Sequence, residues 1–188
     1  MRGKGYQAYA QEVLKFRKAL NLTSIDNEGD FFSRFIEPSL TMTKWMPEEG
    51  RLLDIGSGMG VPGVPLLIAK PGLVGVLVER RKKRAEFLRH VVRTLKLNAE
   101  VYDADINHLP SLNVDICVAR AVTDEGQLLE MCRPHVNQGA VAVLPVPRAS
   151  NCAHVAGWLM KGEYSAPVSS HIGNSNDEGQ VIRCYHYA

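Results

Sequence analysis

The stretch RLLDIGSGMGVPG, from Arg51 to Gly63, carries the decisive pattern of this chain: a short apolar run broken by one acid, Leu52-Leu53-Asp54-Ile55, followed at once by Gly56, Gly58, Gly60 and Gly63. Glycines directly after a strand let the backbone turn sharply and let a ligand approach the bare main chain. In an open parallel sheet, ligands bind outside the carboxyl ends of the strands, at the crevice where the strand order reverses. The loop therefore predicts a binding crevice, provided that its surroundings are β-α-β.

Working outward, the C-terminal side supplies that context. Runs rich in Val, Ile and Leu at Arg51–Ile55, Val74–Glu79, Glu100–Asp103, Val114–Ala119 and Ala140–Leu144 read as strands. Between and after them, helical patterns fall at Val64–Ala69, Lys82–Leu97, Glu125–Arg133 and Ala153–Lys161. Strands alternating with helices imply right-handed crossovers and a parallel sheet covered on both faces. Two more strands are expected at Glu163–His171 and Gln180–Tyr187, an antiparallel hairpin around the Gly, Asn and Ser stretch that runs from Gly173 to Gly179. On the N-terminal side, Tyr6, Tyr9, Val13, Leu14, Phe16 and Leu20 recur at helical spacing, and Asn21 closes that helix. A second helix is expected over Phe31–Lys44, kinked or restarted at Pro38. The fold class is α/β: a mostly parallel seven-stranded sheet with an antiparallel C-terminal hairpin, preceded by a helical part over residues 1–46.

A chain of 188 residues suits one domain, and at that length folding removes roughly 70% of the unfolded chain's surface from water. Cys117, Cys132, Cys152 and Cys184 show no metal-ligand spacing and read as reduced thiols of a cytoplasmic protein. No apolar run resembles a leader or a membrane span, so no membrane partner is expected. The net charge is only +2, but the basic residues cluster: Arg80, Arg81, Lys82, Lys83, Arg84, Arg89, Arg93 and Lys96 stand against the single acid Glu86. The stretch is either a solvated helix face or a phosphate-contacting patch.

The glycine loop alone leaves two ligands open, because Gly58-x-Gly60-x-x-Gly63 also satisfies the dinucleotide fingerprint. Three details favour S-adenosylmethionine over NAD. It is Gly56 that adjoins the strand, with Gly58 further out than a dinucleotide motif places its first glycine. Asp54 at the strand tip would repel a pyrophosphate but attract a sulfonium or ammonium group. Pro62 and Pro65 restrict the loop to a fixed cradle. The candidate cofactor residues are therefore Asp54, Gly56, Ser57, Gly58, Gly60, Pro62 and Gly63. Glu79, ending the second strand, adds an acceptor for ribose hydroxyls. Asp105, Ile106 and Asn107, after the third strand, can meet the adenine, although an Asp there also serves turn chemistry.

These residues closely resemble the bacterial 16S rRNA guanine-N7 methyltransferases, also called glucose-inhibited division protein B, from about Asn21 to Leu144. The family's NLT segment is matched by Asn21–Leu22–Thr23, and its loop D-h-G-[ST]-G-x-G-h-P-G-h-P-L, where h is apolar, by Asp54 to Leu66. Its K-R-x-x-F-L is matched by Lys83 to Leu88, and its S-R-A by Ala119–Arg120–Ala121. The departures fall on the substrate side. The family's R-H-I-L-D-S stands here as Arg34–Phe35–Ile36–Glu37–Pro38–Ser39, a lysine at the end of the fifth strand is Pro145, and Glu79 replaces the usual aspartate. The resemblance implies a Rossmann-like S-adenosylmethionine-dependent methyltransferase whose partner is rRNA or the small ribosomal subunit; the sequence leaves the oligomeric state open, with a monomer favoured. Arg120 and Arg34 become the candidate catalytic residues, and Lys82, Lys83, Arg84, Arg89, Arg93 and Lys96 the candidate RNA contacts. Guanine N7 carries a free lone pair, so no general base is needed, and no metal is expected. A methyltransferase acting on a small molecule or protein, an NAD-dependent oxidoreductase and a binding module without catalysis remain open on sequence alone.

Overall fold

β1 (Glu49–Ile55) pairs in parallel with β2 (Gly72–Val78) on one side and with β4 (Val114–Ala119) on the other. With β3 (Ala99–Tyr102), β5 (Val136–Pro147), β6 (Trp158–Ser165) and β7 (Gln180–Tyr187), the sheet reads β3-β2-β1-β4-β5-β7-β6. β7 is antiparallel to both β5 and β6, and the remaining neighbours pair in parallel. The chain thus winds outward through β2 and β3, then returns across β1, and the order reverses between β1 and β4. The computed structural model describes residues 2–120, 123–165 and 180–188. Ala121, the part of the expected strand beyond residue 165 and the loop expected at 173–179 lie outside the described residues.

Two apolar layers sandwich this sheet, because successive strand side chains point to opposite faces. Leu52, Leu77, Ile116 and Val118 face α1 (Arg2–Leu20), α4 (Gly63–Ala69) and α5 (Lys82–Leu95). Leu53, Ile55, Val76, Val78 and Cys117 face α6 (Glu125–Cys132). Helix α1 is seated on α5 by Phe16, whose ring lies 5.7 Å from Phe87, and by Glu12, whose carboxylate is 2.7 Å from His90 Nε2. It ends at Leu20 because Asn21 adopts φ 50°, a left-handed conformation that breaks the helical ladder.

The helix expected over Phe31–Lys44 is a succession of shorter turns. After Asn27, whose side chain accepts from the Asp30 N–H, come α2 (Glu28–Phe31), a π-helical turn over Phe32–Ile36, α3 (Glu37–Thr41) and a 3-10 turn over Met42–Trp45. The wide turn ends two residues before Pro38, which has no N–H to continue an α-helical ladder and whose ring would crowd the carbonyl four residues back.

One expected element is overturned: no helix forms over Ala153–Lys161, and Trp158 already begins β6. The reason lies in where this segment's polar groups go. The Ser150 carbonyl accepts from Arg183 at 2.7 Å, the Ala153 N–H donates to Glu125 at 3.3 Å, and Trp158 Nε1 donates to the Leu129 carbonyl at 3.0 Å. Gly157 at φ 84° then turns the chain into the strand. Long-range side chains have replaced the local helical ladder, which sequence spacing cannot reveal.

Arg183 on β7 anchors this corner, donating from Nη1 to Glu125 and from Nε to Glu163, both at 2.8 Å. Its side chain and that of Glu125 are only 5% and 6% exposed. Arg183→Met leaves the Glu125 carboxylate buried without its counter-charge, and loss of one partner of a buried pair costs about 3 kcal/mol or more. The expected outcome in urea denaturation is a loss of that order, partly recovered when Glu125→Gln is added.

Candidate active site

At the tip of β1, the Asp54 side chain is wholly buried on the α4 face of the sheet. Its Oδ2 accepts the Gly63 N–H at 3.2 Å, at the first residue of α4, while Oδ1 has no hydrogen-bond partner. A Cβ on residue 63 would lie 2.6 Å from Oδ2, so only glycine permits this approach. The Ser57 hydroxyl donates to the Asp54 carbonyl at 2.8 Å and pins the start of the loop, where Gly56 takes φ 67°. Burial pushes the Asp54 carboxyl up to about 7, opposed by the Gly63 N–H and raised further by nearby Glu79.

Glu79, at the end of β2, closes the loop from the other side. Its Oε2 accepts the Gly58 N–H at 3.0 Å and its Oε1 the Arg81 N–H at 2.7 Å. The carboxylate also lines a cleft of about 400 Å³ at the carboxyl edge of the sheet, bounded further by Gly56, Arg84, Asp105, Ile106, Asn107 and Gln127. Ile106 is buried and walls the cleft. Asp105 lines the cleft, and its Oδ1 caps its own turn, the turn chemistry expected of such an Asp, through the N–H and the side-chain amide of Asn107 at 3.0 and 2.9 Å. That backbone bond holds the Asp105 carboxyl below its usual range. Gly60 and Gly63 are packed into the interior, and Pro62 precedes α4 as its capping residue, so these three shape the loop from behind.

Arg120 follows β4 directly, across the crevice from the loop. Its guanidinium lies over the Phe35 ring, 4.7 Å from the centroid, and Nη1 approaches the Arg34 carbonyl at 3.5 Å. Burial and the charge of Arg34 both push its pKa down. The structure thus brings the two candidate catalytic arginines together, with the Arg34 side chain exposed.

The basic helix divides instead of forming one patch. Lys82 and Lys83 are exposed at the first turn of α5, beside the cleft, while Arg84 lines the cleft and donates to the Asn21 carbonyl. Arg89 is held by Glu86 at 2.7 Å and by the Val101 carbonyl at 3.3 Å. Arg93 and Lys96 stand at the far end of the 14-residue α5, about 20 Å away at 1.5 Å rise per residue. There Arg93 complements the negative end of the helix dipole, and Lys96 is the left-handed cap at φ 53°.

Comparison with known proteins now bears on this geometry. The family model for rRNA small subunit methyltransferase G (GidB) matches residues 3–145. The chain belongs to this family. It is 31% identical over 87% of its length to Ribosomal RNA small subunit methyltransferase G of Syntrophotalea carbinolica, covering 79% of that protein. The corresponding protein of Chloroflexus aggregans is 32% identical over 94% of this chain and 79% of its own length. Among solved structures, an S-adenosylmethionine-dependent methyltransferase from Aquifex aeolicus superposes with TM-score 0.58 at 15% identity, over 84% of this chain and 92% of that one. The mitomycin 7-O-methyltransferase superposes with TM-score 0.64 at 15% identity, over 97% of this chain and 60% of that one. Family membership makes the protein an S-adenosylmethionine-dependent methyltransferase.

Several residues at the family site were invisible to spacing alone. Tyr9 of α1 is fully buried, donates its hydroxyl to the Met59 carbonyl in the glycine loop at 2.9 Å, and feels the charges of both Asp54 and Arg120. Its helical periodicity marked only a core face. Thr123, just before α6, and Gln127 and Met131 of α6 join the cleft. Phe35 and Pro38, two of the departures from the family pattern, bear on the contacts of Arg120: Phe35 lies under its guanidinium, and Pro38 lacks the N–H that an α-helix would direct to the Arg34 carbonyl.

Asp54 gives this fold a pH signature. Because its folded pKa of about 7 lies above the ordinary carboxyl value of 3.8, the folded state holds an extra proton between those values, so this group's contribution to stability is present in acid and lost as pH rises toward 7. Asp54→Asn removes that slope. Urea midpoints between pH 5 and pH 8 should fall less steeply in the variant; parallel curves would show that Asp54 ionises freely.

Proposed function

We propose that the protein transfers a methyl group from S-adenosylmethionine to N7 of a guanine in small-subunit rRNA. Family membership supports the rRNA substrate, and the observation that carries the reading is Arg120, a cation without a carboxylate partner among the described residues, which follows β4 beside the strand that leads into the glycine loop. The residues fit the cofactor. Asp54 offers a buried, unpartnered carboxylate oxygen suited to the positive methionine end, and Glu79 brings carboxylate oxygens to the cleft for ribose hydroxyls. Ile106 supplies an apolar wall for adenine, and Asp105 an acceptor at its edge. An NAD reading fares worse, because a pyrophosphate at this loop would meet the Asp54 charge.

When bound, S-adenosylmethionine supplies an electrophilic methyl group on a good neutral leaving group. The protein's task is then alignment. The loop residues Gly56, Ser57 and Gly58 hold a fixed backbone, with Gly60, Pro62 and Gly63 shaping it from behind. Arg120 orients the acceptor guanine by two-pronged hydrogen bonding to its O6 edge or to the adjoining phosphate, with Arg34 at the rim. N7 attacks through a lone pair that carries no proton, so no side chain needs to act as a base. Lys82, Lys83 and Arg84 stand where RNA phosphates would approach the cleft. Arg89, Arg93 and Lys96 belong chiefly to the helix itself. The target base has to be outside a stacked duplex, as in a loop or bulge.

Three measurements separate these roles. Gly58→Val should abolish cofactor binding by titration with the fold preserved, and Glu79→Ala should weaken it by about 1.5–3 kcal/mol, with Glu79→Asp losing less. Neutralising Lys82 and Lys83 should weaken RNA binding across sequences and flatten its salt dependence by up to about one unit of slope per lost contact, whereas neutralising Arg93 and Lys96 should change the slope little. Arg120→Ala should lower the single-turnover methylation rate of unmethylated small-subunit rRNA at least about tenfold with RNA affinity retained, since an orienting group acts on the transition state. Wild-type turnover in that variant would make Arg120 structural and move the acceptor site elsewhere.

A further inference from the structure

Arg120 is held by one aromatic face and meets no carboxylate among the described residues. Its guanidinium carbon lies 4.7 Å from the centroid of Phe35, Nη1 approaches the Arg34 carbonyl at 3.5 Å, and the like charge of Arg34 acts on it. A long flexible side chain flanked by repulsion has no reason to keep one orientation unless one of its faces is supported. The Phe35 ring supplies that support, because the electron-rich ring face attracts the cation.

Phe35 is itself fixed from behind. Its ring packs 5.2 Å from that of Phe31, which is fully buried, and Phe31 meets Tyr9 edge-on at 5.6 Å. Tyr9 in turn donates to the Met59 carbonyl in the glycine loop at 2.9 Å. A continuous column of three rings therefore runs from the cofactor loop to Arg120. The wide turn over Phe32–Ile36 places Phe35 in this column, and Pro38, lacking an N–H, leaves the Arg34 carbonyl accessible to the guanidinium.

We propose that Phe35 is the positioning residue for Arg120, and that the column Tyr9–Phe31–Phe35 sets the height of the guanidinium relative to the glycine loop, and so the position of the acceptor base relative to the donor methyl. This rests on the role of Arg120 given above. It adds that orientation is enforced by an aromatic face instead of an ion pair, leaving the remaining N–H groups of Arg120 for the base.

Two measurements test it. In the cofactor-free protein, the side-chain protons of Arg120, assigned by their disappearance in Arg120→Lys, should show upfield ring-current shifts in NMR spectra that persist in Phe35→Tyr; random-coil positions in the wild type would overturn the proposal without any assay of activity. In single-turnover methylation of unmethylated small-subunit rRNA, Phe35→Leu should lower the maximal rate about tenfold, with the half-saturating RNA concentration and the cofactor affinity within about twofold of wild type. Phe35→Tyr should retain the rate, and adding Phe35→Leu to Arg120→Lys should cause no further loss. A wild-type rate for Phe35→Leu beside a defective Arg120→Lys overturns the positioning role alone, as does full additivity in the double variant. A wild-type rate for Arg120→Lys overturns instead the orienting role of Arg120.

Discussion

A carboxylate shut away from water with a single hydrogen bond is the constraint around which the site is arranged. Asp54 occupies the last inward-facing position of β1 on the α4 side, and one of its oxygens fixes the first N–H of α4 while the other stays unpartnered. That bond sets where the helix begins, requires glycine at residue 63, and leaves the loop from Gly56 to Pro62 spanning a fixed distance. Glu79 clamps the same loop from β2 through the Gly58 N–H. The result is a loop held between two acids, one of which keeps a buried oxygen without a hydrogen-bond partner at a cost in free energy.

The strands and the glycine loop were legible in the sequence because each is governed by local rules. Runs of Val, Ile and Leu covered on both faces need no alternation, and glycines after a strand have few other uses. The corner between β5 and β6 was not legible, since its backbone partners are Glu125, Arg183 and Leu129, all far away in the chain, and Trp158 with Leu159 mimicked a helical spacing. Glu79, Asp105 and Ile106 stood out in the sequence and line the cleft, although the bonds of Glu79 to two backbone amides were not legible there. Arg120 and Arg34 also stood out and lie together, but the contacts of Tyr9 and Phe35 were not legible, because an aromatic residue in an amphipathic pattern signals only burial. Which buried ring supports a loop and which supports a cation is decided by tertiary contact.

The same reasoning explains why counting charges along α5 overstates the basic surface. A helix of this length carries its first and last turns to opposite edges of the sheet, so residues adjacent in the sequence run are separated by the thickness of the domain. Cations in the last turn interact with the helix's own carbonyls, and Arg89 is tied down by partners on its own helix and on β3. The charges free to act at long range are those of the first turn, where the field of Arg80, Arg81, Lys82 and Lys83 overlaps the mouth of the cleft. Such a cluster draws an anionic polymer to the face that holds the chemistry.

The order of strands at the C-terminal edge bears on how the molecule is made. β7 lies between β5 and β6, so a segment translated later joins two translated earlier. Until Tyr187 has cleared the ribosome, β5 presents an open hydrogen-bonding edge and β6 has no neighbour to pair with. The first five strands can assemble in the order of synthesis, but the last two can be added only together. The open edge of β5 is then a template for pairing with other chains. The nascent protein thus passes through a stage in which its half-built sheet is open to such pairing, and for β5 that exposure ends when β7 lies down beside it.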